Sequence, residues 1–154
     1  TELWLSSLAT PPKRDKLTPL EKGHYLKEGL YQIENIYAAG GQGLTYTAAA
    51  REDLQTVIIK ESVLPLYVDE KIRRKALESF EAEAKLLQTL RHPNIVKLLD
   101  YFIEDHRSYL VLERINGRDL RDRVEASLEL TGESGFDAET ILSYARQMLD
   151  VLDY

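Results

Sequence analysis

The chain has no cysteine, and only one methionine and one tryptophan among its 154 residues. Without a thiol there is neither a disulfide framework nor cysteine chemistry, a composition that fits a cytoplasmic protein. No apolar run reaches the length that spans a bilayer and no signal peptide is recognisable, so no membrane segment is expected; an anchor outside these residues stays open. An excess of positive charge is missing too. Twenty basic residues against 26 acidic ones give a formal charge of −6, which offers no footprint for nucleic acid. His24, His92 and His106 lack metal-ligand spacing, so no metal site is assigned. Repeats and low-complexity segments are absent. What is present, 44% hydrophobic and 30% charged residues, suits one soluble globular domain.

Two charged residues stand out against their surroundings. Lys60 closes the β-branched run Thr56-Val57-Ile58-Ile59-Lys60, where alternation puts Ile58 and Lys60 on one strand face and Val57 and Ile59 on the other. In the next segment Ala76, Phe80, Glu83, Leu87 and Leu90 recur at helical spacing, which predicts a buried face carrying the Glu83 carboxylate. A buried carboxylate requires a cation, and Lys60 is the candidate. The pair points to a site for nucleotide phosphates; the competing reading is that Glu83 flanks the stripe and reaches water.

Upstream lies Tyr37-Ala38-Ala39-Gly40-Gly41-Gln42-Gly43-Leu44-Thr45-Tyr46, read as a strand, a tight turn and a returning strand. Its three glycines allow backbone N–H groups to approach an anion. A Walker A loop would need Lys and Ser/Thr directly after the last glycine, where this chain has Leu44 and Thr45. A dinucleotide fingerprint would open a helix, whereas Leu44-Thr45-Tyr46-Thr47 favours a strand. A glycine-rich flap on a β-hairpin remains, alongside an ordinary hairpin.

In this order the chain resembles the N-terminal lobe of protein kinases. Gly40-x-x-Gly43-x-Thr45 is similar to the kinase glycine loop, Val57-Ile58-Ile59-Lys60 to its lysine strand, and Phe80-Glu81-Ala82-Glu83-Ala84 to the helix of the lysine's partner. Leu90-Arg91-His92-Pro93-Asn94-Ile95-Val96 resembles the linker that follows. The stretch from Tyr109 to Leu120 resembles the last strand and the hinge. The finer resemblance is to bacterial serine/threonine kinases, carried by Thr45-Tyr46, Lys60-Glu61 and Pro65. It implies an α+β fold: an antiparallel sheet of about five strands with one packed helix, then a hinge and the first helices of a truncated helical lobe. The implied organisation is a flexible N-terminal tether over 1–22, the N-lobe over 23–112, a hinge over 113–117 and the start of the C-lobe over 118–154.

The resemblance also implies roles. Lys60 and Glu83 are the catalytic pair; Ala38, Gly40, Gly41, Gly43, Thr45, Ile58 and Lys60 surround the nucleotide. Leu112 is the gatekeeper, Glu113 to Ile115 offer backbone groups to adenine, and Asp119 faces the ribose. The implied cofactors are ATP and Mg²⁺, with the metal ligands outside this chain, and the implied partner is a protein substrate presenting Ser or Thr. Two departures stand out: Ala38 replaces the first loop glycine, and Ile58 replaces the alanine over the adenine. The kinase catalytic loop and the metal-binding Asp-Phe-Gly segment do not occur in this sequence. These 154 residues are therefore expected to be inactive alone, and the alternative is a pseudokinase or an ATP-sensing interaction module. Asp137 is expected to cap a final helix whose apolar face comprises Ile141, Ala145, Met148, Leu149 and Leu152; that helix has no stop signal, as in a truncated element.

Overall fold

The computed structural model describes residues 18–40, 43–64, 69–131 and 135–154. In chain order these form β1 (Tyr25–Leu26), β2 (Tyr31–Gly40), β3 (Gly43–Ala50), β4 (Thr56–Val63), α1 (Glu70–Thr89), β5 (Leu98–Glu104), β6 (Arg107–Glu113), α2 (Leu120–Thr131) and α3 (Ala138–Asp153). The sheet runs β1-β2-β3-β4-β6-β5 and every neighbouring pair is antiparallel. The fold is the α+β one expected, a kinase-like lobe followed by further helices. The sheet has six strands where the sequence suggested about five, the addition being the two-residue β1. Two compact units result, one ending at Leu90 and resuming over Lys97–Arg114, the other made of Arg91–Val96 and Ile115–Tyr154.

Period-two alternation builds the main core of the first unit. Tyr46 and Ala48 of β3, Val57 and Ile59 of β4, and Tyr109 and Val111 of β6 all turn to one face and are buried there with Ile33 and Phe102. The two outer strands of the sheet are then joined by side chains. The Lys27 ammonium meets both Asp100 carboxylate oxygens at 2.8 and 2.6 Å, Tyr31 donates its hydroxyl to Asp100 at 2.8 Å, and the Lys27 N–H donates to Glu104 at 2.8 Å. Tyr31 also stacks on Phe102, with ring centroids 6.0 Å apart. Burial, followed by the hydrogen bond to the Asp100 carboxylate, pushes the Tyr31 phenol well above its ordinary value.

The opposite face of the sheet receives α1. Asp69 caps this helix, its carboxylate accepting the Lys71 N–H at 2.7 Å. The buried residues of α1 are Leu77, Phe80 and Ala84. Leu77 packs with Leu64 and Ile103, and Phe80 meets Tyr101 edge to face at 6.1 Å. Strand β5 thus serves two cores, Phe102 on one side and Tyr101 with Ile103 on the other.

This stripe corrects the expectation for Glu83. Only Phe80 belongs to both the expected and the observed buried sets, and Glu83 is exposed, about a quarter-turn from the centre of the buried stripe. The physical reason is the partner surface: Leu64 and Ile103 offer a seat to Leu77 and Tyr101 to Phe80, and choosing that phase turns Glu83 into water.

In the second unit, Asp137 caps α3 as expected, accepting the Thr140 N–H at 2.8 Å, and these bonds hold its carboxyl below the ordinary range. Tyr154 receives the Arg91 N–H at 3.0 Å, and His92 lies 3.1 Å from Asp150. Among the described residues α3 buries no side chain; Ile141, Met148, Leu149 and Leu152 stay exposed.

Candidate nucleotide site

The hairpin β2–β3 turns between Gly40 and Gly43, which are paired partners at its tip. Gly41 lies outside the described residues, as do Pro65 and most of the expected tether, residues 1–17. The glycines that are described differ in kind. A Cβ at Gly40 would meet nothing, whereas one at Gly43, where φ is 151°, would overlap the carbonyl oxygen of Glu61 on β4. Gly43 is thus a packing requirement between two backbones.

Strand register assembles the rest of the site. Thr45 lies opposite both Ala38 and Lys60, and Ile58 lies opposite Thr47 and Leu112. Directly opposed residues of an antiparallel pair share a face, so Thr45, Ile58, Lys60, Leu110 and Leu112 form one surface, the one onto which α1 packs further along. Ile58 and Leu112 are half-buried and Lys60 is exposed. Among the described residues no ion pair joins Lys60 to Glu83, and both are solvated. Among the described residues the Lys60 ammonium has no ion-pair partner, and it stands opposite Thr45, two residues beyond Gly43, a placement that fits a phosphate group.

Of the other expected residues, Glu113 and Asp119 have structural partners. The Glu113 N–H donates to the Lys97 carbonyl at 3.0 Å and its carboxylate accepts the Lys97 N–H at 2.8 Å, so that N–H is engaged within the lobe. In the second unit Ile115 is exposed, and the Asp119 carboxylate accepts the Asp122 N–H at 2.7 Å at the start of α2. No group of three or more His, Asp or Glu side chains gathers among the described residues to hold a metal. A groove of about 980 Å³ bounded by Tyr25, Lys27, Arg51, Phe102 and Glu104 lies where the outer strands meet, and includes none of the expected site residues.

Residues 31–154 match the protein kinase domain family. The chain belongs to the protein kinase family. It is 33% identical to serine/threonine-protein kinase B of Synechocystis over 82% of this chain and 21% of that protein. It is 28% identical to calcium/calmodulin-dependent protein kinase type 1 of Macrobrachium nipponense over 82% of this chain and 34% of that one. The probable serine/threonine-protein kinase YbdM of Bacillus subtilis is 29% identical, with 88% of this chain and 49% of that protein covered. The chain thus spans less than half the length of each of these kinases.

Sequence reasoning missed the carboxylate that is buried. Glu61, one residue beyond Lys60, is 3% exposed, and its oxygens lie 2.7 Å from Arg107 Nε and 2.7 Å from the Tyr46 hydroxyl. The signal was present: β4 alternation sets Glu61 with Val57 and Ile59. Among the described residues no helix is long and apolar enough to cross a membrane.

Proposed function

We propose that this chain is the nucleotide-binding part of a protein serine/threonine kinase that transfers the ATP γ-phosphate to Ser or Thr hydroxyls of a protein substrate. The observation that carries the reading is the register in which Lys60 stands opposite Thr45, two residues beyond Gly43, on the open face of β4. Lys60 compensates the charge of the α and β phosphates, and the turn from Gly40 to Gly43 covers them with backbone N–H groups. Thr45, Ile58 and Leu112 form the apolar side of the pocket against the base. Glu83 has no competing partner among the described residues and is the group that steadies Lys60 when nucleotide binds. Bound ATP and Mg²⁺ supply the transferable phosphoryl group and its charge neutralisation.

The second reading, an ATP-sensing pseudokinase, is favoured by Ile58, a branched side chain opposite Leu112 where the family resemblance implies an alanine. Phosphotransfer separates the two. A protein carrying this chain within a complete kinase domain is expected to phosphorylate a Ser/Thr peptide, and Lys60→Met to lower turnover at least about a hundredfold. Nucleotide binding without measurable transfer would favour the pseudokinase, and transfer unaffected by Lys60→Met would remove Lys60 from the site.

A further inference from the structure

Lys60 and Glu61 are neighbours on β4 with opposite fates. Lys60 points into solvent, while Glu61 is 3% exposed and tied to three separate segments. Its Oε2 accepts the Tyr46 hydroxyl of β3 at 2.7 Å, and that hydroxyl accepts the Leu20 N–H, from the segment leading into β1, at 3.0 Å. Its Oε1 lies 2.7 Å from Nε of Arg107, the first residue of β6, which is 1% exposed. Arg107 in turn donates through Nη1 to the Asp105 carbonyl at 2.8 Å and to the Asp105 carboxylate at 3.0 Å. The main chain of Glu61 is engaged as well, since its carbonyl oxygen occupies the space that a side chain at Gly43 would need. One residue thus meets the end of the glycine turn, the strand carrying Thr45, and the strand that pairs with Lys60.

A buried ion pair adds little to stability that apolar residues of similar volume could not supply, because desolvating both charges opposes their attraction. What it does impose is direction: a carboxylate that accepts a hydroxyl from one strand and pairs its charge with a guanidinium on another tolerates one register and not its neighbours. The register it fixes is the one that sets Lys60 against Thr45.

We infer that Glu61, held by Arg107 and Tyr46, is a positioning residue: it sets Lys60 and the glycine turn at a fixed mutual distance through the strand, without touching nucleotide. The inference rests on the reading of Lys60 as the phosphate-binding cation. The competing account is that the cluster only adds to the stability of the core.

The test replaces the pair by apolar residues in the full chain. Glu61→Met with Arg107→Met is expected to melt within about 5 °C of the parent. Amide exchange over residues 44–47 and 58–61 is nevertheless expected to quicken about tenfold, and the dissociation constant for the Mg²⁺ complex of a non-hydrolysable ATP analogue to rise by a similar factor. Unchanged exchange in those segments at restored thermal stability would overturn the inference. If the double variant does not fold, Tyr46→Phe, which removes one hydroxyl and keeps the ring, decides: quickened exchange in the same segments supports positioning and unchanged exchange overturns it. Lys60→Met is the control for the site itself. If it binds the analogue as tightly as the parent, the phosphate reading fails, while the exchange measurement still decides whether Glu61 fixes the register.

Discussion

The two faces of β4 do opposite work with alternate residues of one run. On the buried face Val57, Ile59 and Glu61 are fully committed, the first two to apolar packing and the third to Arg107 and Tyr46. On the open face Ile58 is half-buried and Lys60 is solvated, with no ion pair among the described residues. The difference teaches that one alternating run can leave one charged side chain without an ion pair and commit the next to the core. The neighbour that looks equally polar in sequence can instead be structural.

The largest expected effect breaks this symmetry between carboxylates. Glu61→Ala removes one of the two carboxylates paired with the buried Arg107 guanidinium, leaving Asp105, and is expected to cost about 3 kcal/mol in urea unfolding. Glu83→Ala, at an exposed position, is expected to change stability by less than about 0.5 kcal/mol. Equal costs would mean that Glu83 packs inward and that the phase assigned to α1 is wrong.

Gly43→Ala comes next. The added methyl meets the Glu61 carbonyl oxygen, so β3 and β4 must separate locally, at about 1–3 kcal/mol in the same assay. Gly40→Ala, with open space around its Cα, is expected to lose a fraction of that; if the order is reversed, the hairpin does not lean on β4 as described.

On the open face the effect is expected in affinity. Ile58→Ala removes bulk beside Leu112 and is expected to tighten binding of an ATP analogue by about five- to 150-fold, the equivalent of about 1–3 kcal/mol of relieved overpacking. Calorimetric titration that finds equal or weaker binding would show that Ile58 is accommodated, and the pseudokinase reading would lose its support.

The smallest effect concerns the second unit. Asp137 caps α3 with its carboxylate, and a folded value below the ordinary one means that its contribution is present at neutral pH and is lost as pH falls through the carboxylate range. Asp137→Ser, a cap that does not titrate there, is expected to remove the acid-dependent part of the α3 helical signal in circular dichroism. A persisting acid loss in that variant would assign it to other carboxylates.

The hairpin, the alternation of β4 and the Asp137 cap are local patterns, which is why they are legible in the sequence. The phase of α1 is not. Leu77-Phe80-Ala84 and Ala76-Phe80-Glu83 are both helical stripes through Phe80, and only the distant Leu64 and Ile103 choose between them. The junction of Lys27 and Tyr31 with Asp100 spans some 70 positions and has no local signature. Glu61 is legible locally, since extending the alternation that places Ile59 by two residues puts a carboxylate in the core.

The central claim is that Lys60 is the cation beside the nucleotide phosphates, and an acyl-phosphate derivative of ATP tests it most directly, because it acylates the lysine amine nearest the phosphates. With this chain, peptide mapping is expected to find the label on Lys60 and to find it suppressed by excess ATP. Label distributed over the exposed lysines of α1, Lys71 and Lys75, or label on Lys60 that ATP does not suppress, would contradict the account.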